Sequence, residues 1–312
     1  MAKTELHVVL GATGGAGSAI VRALHADHRS VRAASRSGLG SLPEDVDVVA
    51  ADLMTAEDAK AACQAADVVY MAAQPAYHRW VEEFPPMIEN VIAAVESSGA
   101  KLVMVDNLYA YGPSAGTMNE QTHEQAIDKK GMVRRHMTGK LFDAHKAGRI
   151  RVAIGRASDY FGPHADNSAI TALAIEPGVE GKSIRWPGSL DTPHSVAYLP
   201  DIARAYTFLG TDDRADGKTW ILPHPDPVTG REFLDMVNAA LPSPVKTGLI
   251  SKTMLRLASP FHVMSREMLG ISYQWTDSFV VDDSNFWSTF GPVDLTPVDE
   301  AVRHTVEWYV NQ

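Results

Sequence analysis

Through the first half of the chain, short apolar runs rich in β-branched residues alternate with longer stretches whose apolar positions recur at helical spacing. The short runs predict strands at Leu6 to Leu10, Val31 to Ala34, Val46 to Ala50, Asp67 to Met71, Lys101 to Val105 and Arg151 to Ile154. Most are apolar throughout, the pattern of strands buried on both faces of a parallel sheet. Helices are predicted at Gly15 to His25, Ala56 to Ala65, Val81 to Ser98 and roughly Thr122 to Ala147. Ile20, Val21 and Leu24 form the apolar stripe of the first; Met87, Val91, Ala94 and Val95 form that of the third. This order predicts an α/β fold, a doubly wound parallel sheet with right-handed crossovers.

Beyond about residue 156 the pattern changes. Of the 24 Phe, Trp and Tyr residues, 17 lie from position 157 onward, among loops rich in Pro and Gly. Residues 1–156 are therefore expected to form the core, and 157–312 mainly a smaller C-terminal lobe that binds substrate, with a segment at about 193–222 returning to the core. Open α/β sheets bind ligands at their carboxyl edge, so Tyr160, Phe161, Trp186, His194, Tyr198 and Trp275 are candidate pocket residues. The same aromatics suit a second small core, and the two readings are compatible. A pocket built from them favours an apolar or planar substrate. Arg185, Arg231, Arg256 and Arg266, which a diphosphate would need converged, are scattered.

The most informative stretch is HVVLGATGGAGSAIVRAL, a strand, a glycine turn and a helix. Gly11, Gly14 and Gly17 are spaced GxxGxxG, with Thr13, Gly15 and Ala16 between them. Missing side chains permit a sharp turn, close approach to a pyrophosphate and tight packing of helix on strand. The helix's unpaired N–H groups then face the anion. After the second strand, where an acidic residue would hold the adenosine ribose of NAD, the chain has Ser35 and Arg36. Arg36 can pair with a 2′-phosphate, so NADP is expected in preference to NAD.

The formal net charge is −10, which argues against a nucleic-acid partner. No apolar run approaches the roughly 20 residues of a membrane-spanning helix. MAKTELHVVLGATGG leads directly into a strand and glycine turn, so a cytoplasmic protein without a membrane partner is expected. The single cysteine, Cys63, reads as a packed thiol, and His25 with His28 as a surface pair, so no metal is expected.

Further motifs follow in order: AADL with Asp52 and Leu53, MAAQP with Ala72, Ala73 and Gln74, VDNLYAYGP, GRASDYFGP and SVAYLPDIARA. Together with GATGGAG they resemble the extended branch of the short-chain dehydrogenase/reductase superfamily, the NAD(P)-dependent epimerases, dehydratases and reductases. The resemblance implies a Rossmann-type core in which Asp52 and Leu53 lie against adenine. Ala72 and Ala73 would lie under the ribose and pyrophosphate, and Ala157, Ser158 and Asp159 at the nicotinamide end. Asp201 would open a helix in the substrate half as its N-cap.

The same family supplies a Ser or Thr, a Tyr and a Lys to carbonyl chemistry. Aligned on Tyr111 and Gly112, this chain places Asn107 at the first position, also beside the coenzyme, and His136 with Lys140 at the other two. Two of the three usual side chains are thus replaced. Asn can donate to a carbonyl oxygen and His can donate a proton. Tyr109 and Tyr160 are further phenols expected near the nicotinamide. Two principal readings stand open: an NADP-dependent oxidoreductase with a rearranged proton donor, acting on a small, largely apolar carbonyl, enone or alcohol, or a dinucleotide-binding sensor without turnover. A sugar epimerase or dehydratase is a third, and monomer or homodimer is left open.

Overall fold

The computed structural model describes residues 5–38, 40–113, 116–261 and 263–312. Its first half contains β1 (Leu6–Leu10), α1 (Gly15–Ala26), β2 (Ser30–Ser35), β3 (Asp47–Ala50), α2 (Ala56–Ala62), β4 (Val68–Met71), α3 (Trp80–Ser98), β5 (Lys101–Asn107), α4 (Lys129–Lys146) and β6 (Arg151–Ala157). The second half opens with β7 (Asp159–Phe161), α5 (Glu176–Val179), β8 (Ile184–Pro187), β9 (Pro193–His194), β10 (Val196–Tyr198), α6 (Leu199–Thr211) and β11 (Lys218–Ile221). It continues with β12 (Val228–Thr229), α7 (Gly230–Ala240), β13 (Thr247–Ile250), α8 (Lys252–Ala258), α9 (Val263–Gly270), α10 (Tyr273–Thr276), α11 (Ser284–Phe290) and α12 (Val298–Val310).

Seven strands form one parallel sheet in the order β11-β6-β5-β4-β1-β2-β3. His7 of β1 pairs with Val31 on one side and Val68 on the other. The strand order reverses between β1 and β4, and the crevice beyond their carboxyl ends is where such sheets bind ligands. Successive side chains of a strand point to opposite faces. Val8, Leu10, Val69, Met71, Leu102 and Met104 accordingly join the core under α2, α3 and α4, while Val9, Tyr70 and Val103 join the core under α1 and α6. Both faces are covered, which is why the strand sequences are apolar without alternation. Burying each Val or Leu contributes about 1.5–3 kcal/mol.

Strand and helix positions follow the sequence pattern closely except at α4. Residues 122–128 are not helical: Gln125 N and Ala126 N donate to Tyr111 O and Ala110 O at 3.4 and 3.2 Å, holding that segment along the chain after β5. The helix begins only after Asp128, whose carboxylate caps the first turn. Asp201 also differs from expectation. Tyr198 is the N-cap of α6, and Asp201 lies in the first turn, accepting from Thr296 N and Thr296 Oγ1 at 2.8 and 3.0 Å.

A further core fills the second half, with Phe161, Trp186, Tyr198, Phe233 and Trp275 packed among residues of α7 and α12. β11 pairs with β6, and α6 packs against α1. Among the described residues, no helix is long and apolar enough to cross a membrane.

Candidate functional site

The glycine turn lies over the end of β4. Gly11 has φ +83°, and a Cβ there would sit 2.4 Å from Ala73 N; at Gly17 it would sit 2.2 Å from Gly11 O. Neither position admits a side chain. Gly14 caps α1 without a side-chain hydrogen bond, and the first turn holds no acidic residue. The N–H groups of Gly15, Ala16 and Gly17 therefore end the helix as free donors toward the crevice. Thr13 is exposed beside them.

Polar groups without partners flank this turn. Ser35 closes β2, and Ser158 follows β6; both are buried, and neither Oγ has a hydrogen-bond partner among the described residues. Arg36 is exposed and has no ion pair among the described residues. Ser158 N donates to His224 Nε2 at 3.0 Å, and His224 Nδ1 lies 2.6 Å from Leu222 O. These bonds fix the neutral tautomer, and burial pushes the imidazole down to about 4. Ala72 N donates to Leu10 O at 2.9 Å, and Gln74 is exposed at the same edge. Asp52 is exposed, with one carboxylate oxygen accepting from Met54 N at 3.0 Å, whereas Leu53 is buried in the core beside α3. Uncapped amides, two unpartnered hydroxyls and a cradle closed to any Cβ suit an anionic, hydroxyl-rich ligand.

The inner face of α4 does not present the expected pair. His136 is exposed, and Lys140 bonds to Glu89 of α3 on the outer surface. The buried stripe of the helix runs through Lys130, Gly131, Val133, Arg134, Met137, Thr138 and Leu141, and at 3.6 residues per turn positions 136 and 140 fall outside it. Lys130 and Arg134, one turn apart, take the inner positions. A Cβ on Gly131 would lie 2.3 Å from Tyr109 O, so glycine lets the helix abut the chain after β5.

Both cations are buried and engaged. Arg134 lies 3.1 Å from Asp106, donates to Gln74 Oε1 at 3.3 Å and stacks 4.4 Å above Trp80. Asp106 also accepts from Arg156 Nε at 2.9 Å, and Arg156 reaches Glu124 at 2.6 Å. Two guanidinium groups are thereby balanced by two carboxylates, as low-dielectric surroundings demand. Lys130 Nζ lies 2.7 Å from Glu267 of α9, donates to the Tyr77 carbonyl and sits 4.0 Å from the Tyr77 ring centre.

Above these cations the Tyr77 hydroxyl donates to the Tyr109 hydroxyl at 3.4 Å. Burial, with the field of Asp159, pushes both phenols above their ordinary range; Arg134 acts in the opposite direction on Tyr109. Asn107 Oδ1 accepts from Tyr109 N at 3.1 Å, which directs its amide NH2 group away as a donor. Asp159 Oδ2 lies 3.0 Å from His194 Nε2, and Tyr160 is the next residue along β7.

Of the aromatics expected to line a pocket, Phe161, Trp186, Tyr198 and Trp275 are buried in the lobe's core. Their rings pack on one another, Trp186 against Trp275 at 5.1 Å and Phe161 against Tyr198 at 5.6 Å, and such large apolar surfaces are better spent in the interior. His194 is buried too, stacked on Trp275 at 4.5 Å. The structure thus joins Asn107 to Tyr109 and Asp159 to His194, with Tyr160 next to Asp159, and turns His136 and Lys140 outward. Sequence reasoning missed Tyr77, Lys130 and Arg134. Asp128 followed closely by Gly131 was the available signal for the last two, since a capping carboxylate marks the first turn of a helix.

No curated protein matches the chain. Among solved structures, a Burkholderia cenocepacia J2315 protein provisionally designated an epimerase is similar at 19% identity, with TM-score 0.80 and 99% of each chain covered. The Bordetella bronchiseptica enzyme WbmH, solved with NAD+, gives a TM-score of 0.76 at 16% identity over 98% of each chain. The UDP-glucose 4-epimerase of Thermotoga maritima, solved with UDP-glucose, gives 0.79 at 15% identity over 97% of this chain and 98% of that one. At such identities these likenesses speak for the fold. The sequence model of the NAD dependent epimerase/dehydratase family matches residues 7–222, well over half of the length, and the chain belongs to that family.

Proposed function

We propose that the protein is an NADP-dependent oxidoreductase that transfers hydride to or from a small, largely apolar carbonyl, enone or alcohol. The observation that carries this reading is the pair of half-buried, hydrogen-bonded phenols, Tyr77 and Tyr109, beside Asn107 at the carboxyl end of β5. Gly11, Gly14 and Gly17 would hold the diphosphate, Ser35 and Arg36 the phosphorylated adenosine ribose, and Ser158 the carboxamide. Bound there, the nicotinamide supplies or accepts the hydride.

The chain's own groups handle the proton. Negative charge that develops on a carbonyl oxygen needs a donor in place. In this reading the Asn107 amide polarises the oxygen and the Tyr109 hydroxyl gives it a proton. The resulting phenolate accepts from Tyr77 and lies in the field of Arg134, the cation that favours its ionised form. Lys130, fixed over the Tyr77 ring, supports the same anion at one remove.

A second reading has its own support. Lys130 and Arg134 are each tied to a carboxylate, and α4 carries no phenol. A dinucleotide sensor without turnover would have that arrangement. Calorimetry with NADPH and NADH, followed by coenzyme oxidation against aldehydes, ketones, quinones and enones, separates the two. Turnover that Tyr109→Phe abolishes supports the oxidoreductase. Tight binding with no consumption by any compound supports the sensor, and absence of binding overturns both.

A further inference from the structure

We infer that Asp159 determines specificity, shutting out substrates that carry a diphosphate and admitting neutral or cationic ones that offer it a hydroxyl or ammonium donor. The inference rests on the crevice proposed above being the substrate site, and it deepens that reading by naming the substrate class. Asp159 stands two residues beyond the β6 end at Ala157, and its carboxylate is 16% exposed, so one side of it remains open. His194, its ion-pair partner, is 2% exposed and lies between Trp275 and Phe279 at 4.5 and 5.3 Å, with the edge of Trp186 against it. A ring packed on three aromatics does not swing away. Asp159 is therefore held in place.

Among the described residues, the two cations beside the phenols, Arg134 and Lys130, are already engaged. Arg134 is engaged by Asp106 and Gln74, Lys130 by Glu267 and the Tyr77 carbonyl, and Arg204 by Asp201. Arg231, exposed on α7, is paired with Asp191. After burial, the groups that raise the Tyr77 phenol are Asp159, Glu267 and Asp128, while Asp159 and Asp166 act on Tyr160. Asp159 thus places negative charge beside the phenols, with Arg134 as the opposing cation. A pyrophosphate placed there meets like charge without the converging guanidinium groups that recognise phosphate. A hydroxyl or ammonium gains a charge-assisted hydrogen bond to Asp159 instead.

The test uses the full chain, with and without NADPH, and follows binding of UDP-glucose by calorimetry in wild type, Asp159→Asn and Asp159→Ala. Asn keeps an acceptor for His194 and removes the charge, so the variant separates charge from structure. Asp159→Asn should bind UDP-glucose at least about tenfold more tightly than wild type does, with a gain that shrinks in high salt. Wild-type binding comparable to that of Asp159→Asn overturns the inference, as does a failure of either variant to gain affinity while its melting temperature is unchanged. Coenzyme binding is measured in the same samples. Its absence would sink the proposed function while still leaving the effect of charge on UDP-glucose readable.

Discussion

The Asp128 carboxylate accepts from Gly131 N at 2.9 Å, and through this bond α4 starts immediately before Lys130, the first of its buried residues. The same oxygen accepts from Lys130 N at 3.0 Å. Lys130 and Arg134 owe their inward position to that cap. Asp128→Ala should lower stability by about 1 kcal/mol. It should also lower turnover by more than the folded fraction accounts for, because the first turn positions Lys130. Denaturant titration beside steady-state kinetics checks both.

His136→Ala and Lys140→Ala should leave turnover within about twofold of wild type, because both residues stand on the outer surface of α4. Tyr109→Phe should lower kcat by about a hundredfold or more, the usual contribution of a placed proton donor. NADPH affinity should be unchanged in all three. Equal losses at His136 and Tyr109 would contradict the assignment.

Gly17→Ala forces a methyl to within 2.2 Å of Gly11 O. Overpacking of this kind costs about 1–3 kcal/mol, and relief requires the turn to open. The expected result is a lower melting temperature and at least about a tenfold loss of NADPH affinity. Gly99→Ala is the control for left-handed strain alone, since its Cβ would meet nothing within 4 Å although φ is +73°. It should lose stability and keep coenzyme affinity.

Arg36→Ala should weaken NADPH much more than NADH in paired calorimetric titrations. Removing one charge-assisted partner of a phosphate costs about 1.5–3 kcal/mol, roughly tenfold or more in affinity. Equal losses for both coenzymes would refute the 2′-phosphate role.

His224 makes stability depend on pH. Its folded value of about 4 lies below the ordinary imidazole value near 6.5, so between these limits the unfolded chain takes up a proton that the folded one refuses. Stability should fall as pH drops from about 6.5 toward 4 and level off below, by on the order of 3 kcal/mol from this group. His7 and His164, also held low by burial, act in the same direction. His224→Gln, which retains an acceptor for Ser158 N, should flatten the slope seen in denaturation midpoints across that window. An unchanged slope would remove His224 as its source.

Most of the sheet was legible in the sequence because burial on both faces leaves an unbroken apolar signature, as in HVVL and VVYM. The glycine turn was legible for a similar reason: contacts at Gly11 and Gly17 forbid any other residue. The far side of the site was not. Thr122 to Asp128 carries polar residues compatible with helix, and backbone pairing to Ala110 and Tyr111, with the Glu124 ion pair to Arg156, holds it in a non-helical path. With the helix start misplaced, the i, i+4 pair at His136 and Lys140 stood out over Lys130 and Arg134. Lys130 and Arg134 lie in a basic stretch, and their ion pairs to Glu267 and Asp106 across long chain separations leave no local trace in it. Trp186 and Trp275 suit a pocket wall and a hydrophobic interior equally in the sequence, because both draw on the same residues, and the structure packs them in the interior.

The interlocked charges of Asp106, Glu124, Arg134 and Arg156 constrain how this scaffold can change. Each neutralises a neighbour on a different segment, so replacing Arg134 alone strands Asp106 opposite a single guanidinium and disturbs the footing of β5, β6 and α4 together. Placing a tyrosine and a lysine at positions 130 and 134 is thus a problem of rewiring a quartet, and it calls for compensating exchanges rather than a substitution at either position alone.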